Sequence, residues 1–491
     1  MSQTITIDPE SRLEGNGKGQ TIVIDPVTRL EGHGKITIRL NGQGDVEDAH
    51  FHVTQVRGFE KFAEGRPFYE MPSLMARICG ICPVSHLIAS ARACEAIMSV
   101  RIPHAGARLR RMLNLAQMVQ SHALSFFYLS SPDLLLGMES DPAARHIFGV
   151  VGANPELGRA GVRLRRFGQH IIELLGNKRI HPGWVVPGGV TEPLTQAKRD
   201  EILGMIPEAH QNIQLALKWY KQIAETFANE IAVFANFPSN FMSLVNEDDS
   251  IEFTVGALRL IDYQGNVIED GMQAQRFNEA VGEAVEPYSY TKFAYYKPLG
   301  YPNGSYRVGP LARLNIVKTM GTPLADAELA EFKRISDGPV LGSFYYHHAR
   351  LIEILYGIET IERILNDPLI LDKHVRATAG VNRLEGSGQA EAPRGTLNHH
   401  YKVDENGLIQ WANLVIATGQ NNHAMKMGVL QAARHYIKNG KFTEGILNRV
   451  EAVVRTFDPC LSCSTHAAGQ MQLELTLLSA EGEVVDRVRR D

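Results

Sequence analysis

Residues 458–472 read "DPCLSCSTHAAGQMQ". Cys460 and Cys463 stand three positions apart, His466 follows after another three, and residues 467–491 complete the chain. Taken alone, a CxxC is redox-active, structural or accidental more often than metal-binding. A second stretch changes its weight. "ARICGICPVSHLIASARACEAIMSV" (76–100) sets Cys79, Cys82 and His86 at i, i+3 and i+7, positions that share one face of a helix or of a turn entering one. The run after Pro83 predicts a helix, so the pair falls at its N-terminal end, where the dipole favours thiolate. Four of the five cysteines therefore form two like-spaced pairs with most of the chain between them. Zinc ribbons bring their pairs together within a short module. A site shared by these two pairs must instead lie inside the fold, as a reactive centre would. Four convergent thiolates suit zinc, an iron–sulfur cluster, or nickel with low-valent iron. Cys94 falls within the helical stretch and reads as a small buried hydrophobe.

Bulk properties exclude several function classes. The 491 residues are 44% hydrophobic and 21% charged, and Lys+Arg (50) nearly balance Asp+Glu (54). No polybasic surface argues for nucleic acid or anionic lipid. No apolar run approaches the ~20 residues that a membrane span needs, and "MSQTITIDPE" lacks the basic-then-apolar layout of a secretory signal. The expected location is the cytoplasm.

Strand signals open the chain at "TIVID" (21–25), "GKITIRL" (34–40) and "AHFHVTQV" (49–56), with turn chemistry in "NGQGD". Helical spacing then dominates: 105–131, ending at Pro132; 200–237, with Pro207 as a kink or start; 347–367; and 421–441. Strand character returns at "QLELTLLS" (472–479), before a turn at "EGEV". The expected architecture is mainly α, a long-helix bundle core with N-terminal and C-terminal β elements. One repeat stands out: "TITIDPESRLEGNGKG" (4–19) is echoed by "TIVIDPVTRLEGHGKI" (21–36). Two copies do not make a solenoid, so residues 1–19 read as a duplicated leader. Only one Arg-Leu-Glu-Gly copy then occupies a working position.

In order along the chain, "DPVTRLEGHGK", "RGFEKF", "RICGICPVSH", "VPGGV", "VGPLARLN", "EAPRGTLNHHY" and "DPCLSCSTH" resemble the large, catalytic subunit of [NiFe]-hydrogenases. The resemblance runs from about residue 20 to the end. "GRPFYEMP", "QSHALSFFYLSSPDLLLGM" and "FGQHIIELLG" are most similar to the soluble, bidirectional, NAD-linked type. The resemblance implies reversible heterolytic cleavage of H2 to protons and electrons, with NAD(+) as the acceptor. The alternatives are a hydrogenase with another soluble acceptor, a hydrogen-sensing regulatory subunit, and a metal-free relative from a quinone-reducing complex. The last has lost its cysteines, whereas all four remain here.

Family pattern makes Cys79 and Cys460 terminal nickel ligands and Cys82 and Cys463 bridges to an iron that carries CO and cyanide. Cys460 would take the proton and Glu31 would relay it. Glu14, in the duplicated copy, competes, but "RGFE" stands at the family separation from Glu31, and Asn16 replaces the histidine found at His33. Glu60, the main-chain carbonyl of Leu414 and His466 would bind Mg(2+). Arg394, Pro393 and Asp133 would form the canopy over the metals, with Asp458 paired to Arg394. Thr418 would donate to a cyanide, although Ala417 stands where many relatives have proline. His86 would hydrogen-bond to Cys82.

No spare cysteine quartet exists, so Fe–S clusters belong to a partner small subunit. No GxGxxG follows a strand, so flavin and NAD belong to diaphorase subunits. The resemblance also implies that metallochaperones load the site. A maturation endopeptidase then cuts between His466 and Ala467, releasing 467–491 and leaving 20–466 as the catalytic domain. On this reading the closing CxxC docks, and His466 swings inward, only after the cut.

Overall fold

The computed structural model describes residues 4–8, 20–467, 473–479 and 484–490. Its N-terminal sheet follows from alternation. Thr21–Asp25, Gly34–Leu40 and Val46–Val53 pair antiparallel in sequence order, and Ile22, Ile24, Ile36, Ile38 and Leu40 point into the core. Thr4–Asp8, from the first copy of the repeat, adds antiparallel to Thr21–Asp25 as the edge strand. Glu14 lies outside the described residues.

Four long helices build the body: His104–Ala123, Pro155–Gly176, Gln196–Ala224 and Tyr346–Leu365. Each packs on two of the others, which closes a bundle. The helix expected over 105–131 differs in its last part. After Ala123 the backbone widens into a π-helical turn, Leu124–Ser130, and a short helix, Ser131–Leu136, follows with Pro132 in its first turn. Proline is tolerated there because a first-turn N–H has no intrahelical acceptor. Gln196–Ala224 carries Pro207 within it and ends short of residue 237.

Pro83–Met98 runs through the interior and is buried on nearly every side. Against it lies an antiparallel meander, Glu385–Ala392, Gly395–Val403 and Ile409–Val415. Close contact needs glycine here. A Cβ on Gly388 would fall 2.2 Å from the Ala89 carbonyl oxygen, and one on Gly386 would fall 2.3 Å from that of Ala93. A second sheet orders Tyr306–Arg307, Asn240–Val245, Ala257–Ile261 and Val267–Met272. A buried clamp ties these layers together. Arg313 grips both carboxylate oxygens of Glu353 at 2.6 and 2.7 Å and Glu391 at 2.6 Å, and His122 meets Glu353 at 2.8 Å.

The paired helices Ala417–Tyr436 and Glu444–Phe457 finish the body. The second ends at Asp458, whose left-handed φ of 53° turns the chain into Cys460. Past Ala467, Leu473–Leu478 pairs antiparallel with Val484–Arg490, and the "EGEV" turn between them lies largely outside the described residues. Among the described residues, no helix is long and apolar enough to cross a membrane.

Candidate metal centre

Cys79 follows a single 3-10 turn, and Cys82 immediately precedes the Pro83–Met98 helix. Cys460 and Cys463 belong to a one-turn helical segment at Leu461–Ser464, the first as its cap. The fold brings both pairs together: all four sulfurs lie within 4.8 Å of one another, and all four residues are buried. Cys79 faces Cys460 at 3.6 Å, and Cys82 faces Cys463 at 3.8 Å. The five cysteines are free thiols. Backbone N–H groups of Ile81 and Cys82 donate to the Cys79 sulfur at 3.2 and 3.0 Å.

Hydrogen bonds from Cys460, Cys463 and Cys79 hold the Cys82 thiol well below its ordinary range. Burial pushes Cys460 and Cys463 well above theirs. Four thiolates at this separation and burial need cationic charge among them. The donor set is soft and convergent, so it fits a thiophilic metal centre. Cys94 stays apart, its thiol directed at the Phe68 carbonyl oxygen and its pKa raised by burial.

Arg394 supplies the nearest fixed positive charge. It is 3% exposed, and its guanidinium holds Asp458 through both the main-chain carbonyl and Oδ1, the latter at 3.0 Å. Burial opposes its charge, but Asp458 and the sulfurs of Cys460, Cys82 and Cys79 outweigh that and hold its pKa well up. Its remaining nitrogen reaches Ser121 Oγ at 3.4 Å. Asp133, expected in the canopy, is held by three other side chains. It accepts from Arg29, from Asn448 at 3.0 Å and from Arg455 at 3.1 Å, with no hydrogen bond to Arg394. Burial raises its pKa, but Arg455 and Arg29 overcome that and lower it. Ser121, one turn before the π-helical segment, takes the place beside Arg394. Pro393 is buried, and its carbonyl oxygen accepts from Arg313 at 3.3 Å.

Glu31 lies alongside the second cysteine pair. Its carbonyl accepts from Leu461 N at 3.1 Å, and its Oε2 accepts from Ser462 N at 3.1 Å. That approach requires Gly32, where φ is +89° and a Cβ would fall 2.7 Å from the Leu461 Cβ. Glu31 is half-buried, and His33, two residues on, is exposed, its ring meeting Gln55 at 3.0 Å.

Glu60, Leu414 and His466 also converge. Glu60 Oε1 accepts from Leu414 N at 2.7 Å and meets His466 Nδ1 at 3.1 Å. Burial raises the Glu60 pKa, but the hydrogen bond from His466 outweighs it and the net shift is down. Here Leu414 engages Glu60 through its N–H. His466 is 3% exposed, and Ala467 beyond it is buried too. Glu60 N donates to the His466 carbonyl at 3.1 Å, and Arg57 N to that of Thr465 at 2.9 Å. The closing CxxC and His466 are both docked here, with Ala467 buried beyond them.

Thr418 Oγ1 accepts from Cys460 N at 2.9 Å, which leaves its proton free to donate. His86 contributes to the depressed Cys82 pKa, and its Nδ1 meets His399 Nε2 at 3.2 Å. His399 continues to the Tyr401 hydroxyl at 2.8 Å, which donates to Ser90 at 2.8 Å. Sequence reasoning missed His399 and Tyr401. The signal was the "NHHY" run, in which alternate residues of a strand face one side.

The family model described as nickel-dependent hydrogenase matches residues 57–143 and 161–466, and one described as HoxL-like matches 21–56. The beta subunit of the NAD-reducing hydrogenase HoxS of Cupriavidus necator is 40% identical over 100% of both chains. The matching chain of the F420-non-reducing hydrogenase vhc of Methanococcus voltae is also 40% identical, over 97% of this chain and 98% of its own. A solved NAD+-reducing [NiFe]-hydrogenase in the H2-reduced state superposes with a TM-score of 0.88 at 41% identity, covering 91% of this chain and 99% of that one. With the four buried sulfurs, these matches give the identity: the chain belongs to the nickel-dependent hydrogenase family, as a large subunit of the [NiFe] type.

Proposed function

We propose that this chain is the catalytic subunit of a cytoplasmic hydrogenase that cleaves H2 reversibly and passes the electrons to NAD(+). The observation that carries the reading is the buried quartet Cys79, Cys82, Cys460 and Cys463, set beside a fixed guanidinium and a half-buried carboxylate. Cys79 and Cys460 would hold the nickel, and Cys82 and Cys463 would be shared with an iron that would carry CO and cyanide. When bound, this pair of metals supplies the acceptor for the electron pair of H2.

The chain's residues do the rest. Arg394, locked by Asp458, keeps a non-titrating positive charge over the sulfurs. Cys460 accepts the proton, and Glu31, anchored through Ser462 N beside it, carries the proton towards solvent. Asp133 acts one layer out, by fixing Arg29 and Arg455 next to the Cys460 segment. Thr418 keeps one hydroxyl proton for a cyanide while it holds Cys460 N. His86 orients Cys82. Pro393 sets the backbone ahead of Arg394. Glu60 and His466, with the Leu414 main chain, bind Mg(2+), whose hard-ligand preference suits a carboxylate site apart from the thiols.

Electrons leave to a small subunit with Fe–S clusters, and flavin- and NAD-binding diaphorase subunits complete the assembly. An endopeptidase removes 467–491 after metallochaperones load the metals. The equal identity to an F420-non-reducing hydrogenase favours a second reading, the same H2 chemistry with another soluble acceptor.

One purification tests both readings. Elemental analysis of the complex should give nickel and iron with this chain, and H2 should reduce NAD(+) in its presence. H2-dependent reduction of a viologen dye without NAD(+) reduction selects the second reading. A metal-loaded complex inert towards H2 with any acceptor overturns both.

A further inference from the structure

At the opposite end of the Pro83–Met98 helix from Cys82 lies a cavity of about 360 Å3. At 1.5 Å per residue it is about 20 Å from the sulfurs. Arg92, Glu95 and Arg101 line it from the helix and the chain beyond, and Arg383, Ser387 and Gln389 line it from the strand packed on that helix and the chain leading into it.

Its charge is one-sided. Three guanidinium groups face one carboxylate, and Glu95 is already engaged: its Oε1 accepts from Arg110 at 2.6 Å and from Gly188 N at 2.9 Å. None of Arg92, Arg101 and Arg383 has a carboxylate within ion-pairing distance among the described residues. The last helix carbonyls do not need them. Those of Glu95 and Ala96 take Val100 N and Ser99 N, that of Ile97 takes Asn382 N and Arg383 N, and that of Met98 takes Asn382 Nδ2.

Two buried polar side chains add to the site. Ser387 Oγ and Gln389 Nε2 are buried without a partner, at 5% and 2% residue exposure. Both residues line the cavity. Arg92 Nη1 donates to the Gln389 carbonyl at 3.1 Å, so the guanidinium is already fixed in place. Burial lowers the Arg92 pKa, and an anion would relieve that penalty.

We propose that this cavity binds a small molecule bearing phosphate or pyrophosphate. Planar guanidinium forks match phosphate oxygens two at a time. The volume, at the small end of ligand sites, holds a pyrophosphate with room for part of what it is attached to. The site is separate from the metal centre, and it does not rest on the assignment of the electron acceptor.

Calorimetric titration of the purified holoenzyme with orthophosphate, pyrophosphate and ADP tests it. Saturable binding is expected, with pyrophosphate tighter than orthophosphate. Arg383→Gln, at an exposed position that the fold does not need, should weaken it by about tenfold. Arg92→Gln should weaken it further, and an unchanged thermal midpoint of the Arg383→Gln protein excludes misfolding as the cause. ADP tighter than pyrophosphate, with its binding weakened in Arg383→Gln, identifies a nucleotide as the source at this cavity, whereas the reverse order identifies the free anion. No saturable heat with any of the three, or equal affinity in the wild type and Arg383→Gln, overturns the proposal.

Discussion

Glu31 is half-buried, and its carboxylate is tied to the cysteine loop through Ser462 N. Glu31→Gln keeps that hydrogen bond and removes the titrating group. H2 oxidation should fall by about 100-fold or more, the usual range for general acid–base groups, while nickel content is unchanged. A variant with near-wild-type turnover would move the proton exit elsewhere. Arg394→Lys is the companion test. Lysine cannot hold the Asp458 carbonyl and carboxylate together as the guanidinium fork does. Turnover should drop on the order of 100-fold, the scale for losing one preorganised donor, again with metal loading unchanged. Retained turnover would remove Arg394 from the chemistry. Single residues of this kind were legible because a spaced motif names them. Ser121 and His399 were not, since their partners, Arg394 and His86, are remote in sequence and only the fold brings them near.

Among elements, the Pro83–Met98 helix depends most on its neighbour. The Glu385–Ala392 strand lies so close that Gly388 cannot take a side chain without moving Ala89 or Ala93 backbone. Gly388→Ala should lower the thermal midpoint, reflecting about 1–3 kcal/mol of overpacking, and should reduce nickel retention because the displaced helix begins at Cys82. An unchanged midpoint would mean that the strand can give way freely. This meander escaped the sequence reading for the same reason. "EGSGQAEA" lacks β-branched alternation, because glycine rather than a branched side chain faces the helix. The amphipathic helices and the N-terminal strands were readable, since each has one wet and one dry face. The π-helical turn at Leu124–Ser130 was not, because its register is set by packing.

On the scale of the whole molecule, buried histidines set the response to acid. Burial lowers His52, His122 and His423 to about 4 and His347 to about 3. Each is neutral in the fold, while in the unfolded chain it protonates near 6.5. Between those values the unfolded state binds more protons, so stability is full above about pH 6.5 and is lost as pH falls towards 4. Each such histidine contributes a slope of about 1.4 kcal/mol per pH unit within that window. The thermal midpoint should therefore fall steeply from about pH 6.5 to 4.5 and change little from about 7 to 8. A flat profile through the acid limb would mean that these rings remain solvated.

The chain's own order of residues determined the donor types, the two like-spaced cysteine pairs, the helical body and the family. These are local or periodic properties, written in spacings that a helix turn or a strand pleat converts directly into faces. Tertiary structure decided which distant groups meet. It set Asp133 with Arg29 and Arg455 and put Ser121 beside Arg394. It also docked His466 on Glu60 ahead of the tail and gathered three guanidinium groups around one cavity. Those outcomes depend on packing and on the sum of charges inside a closed volume, which no short window of sequence contains.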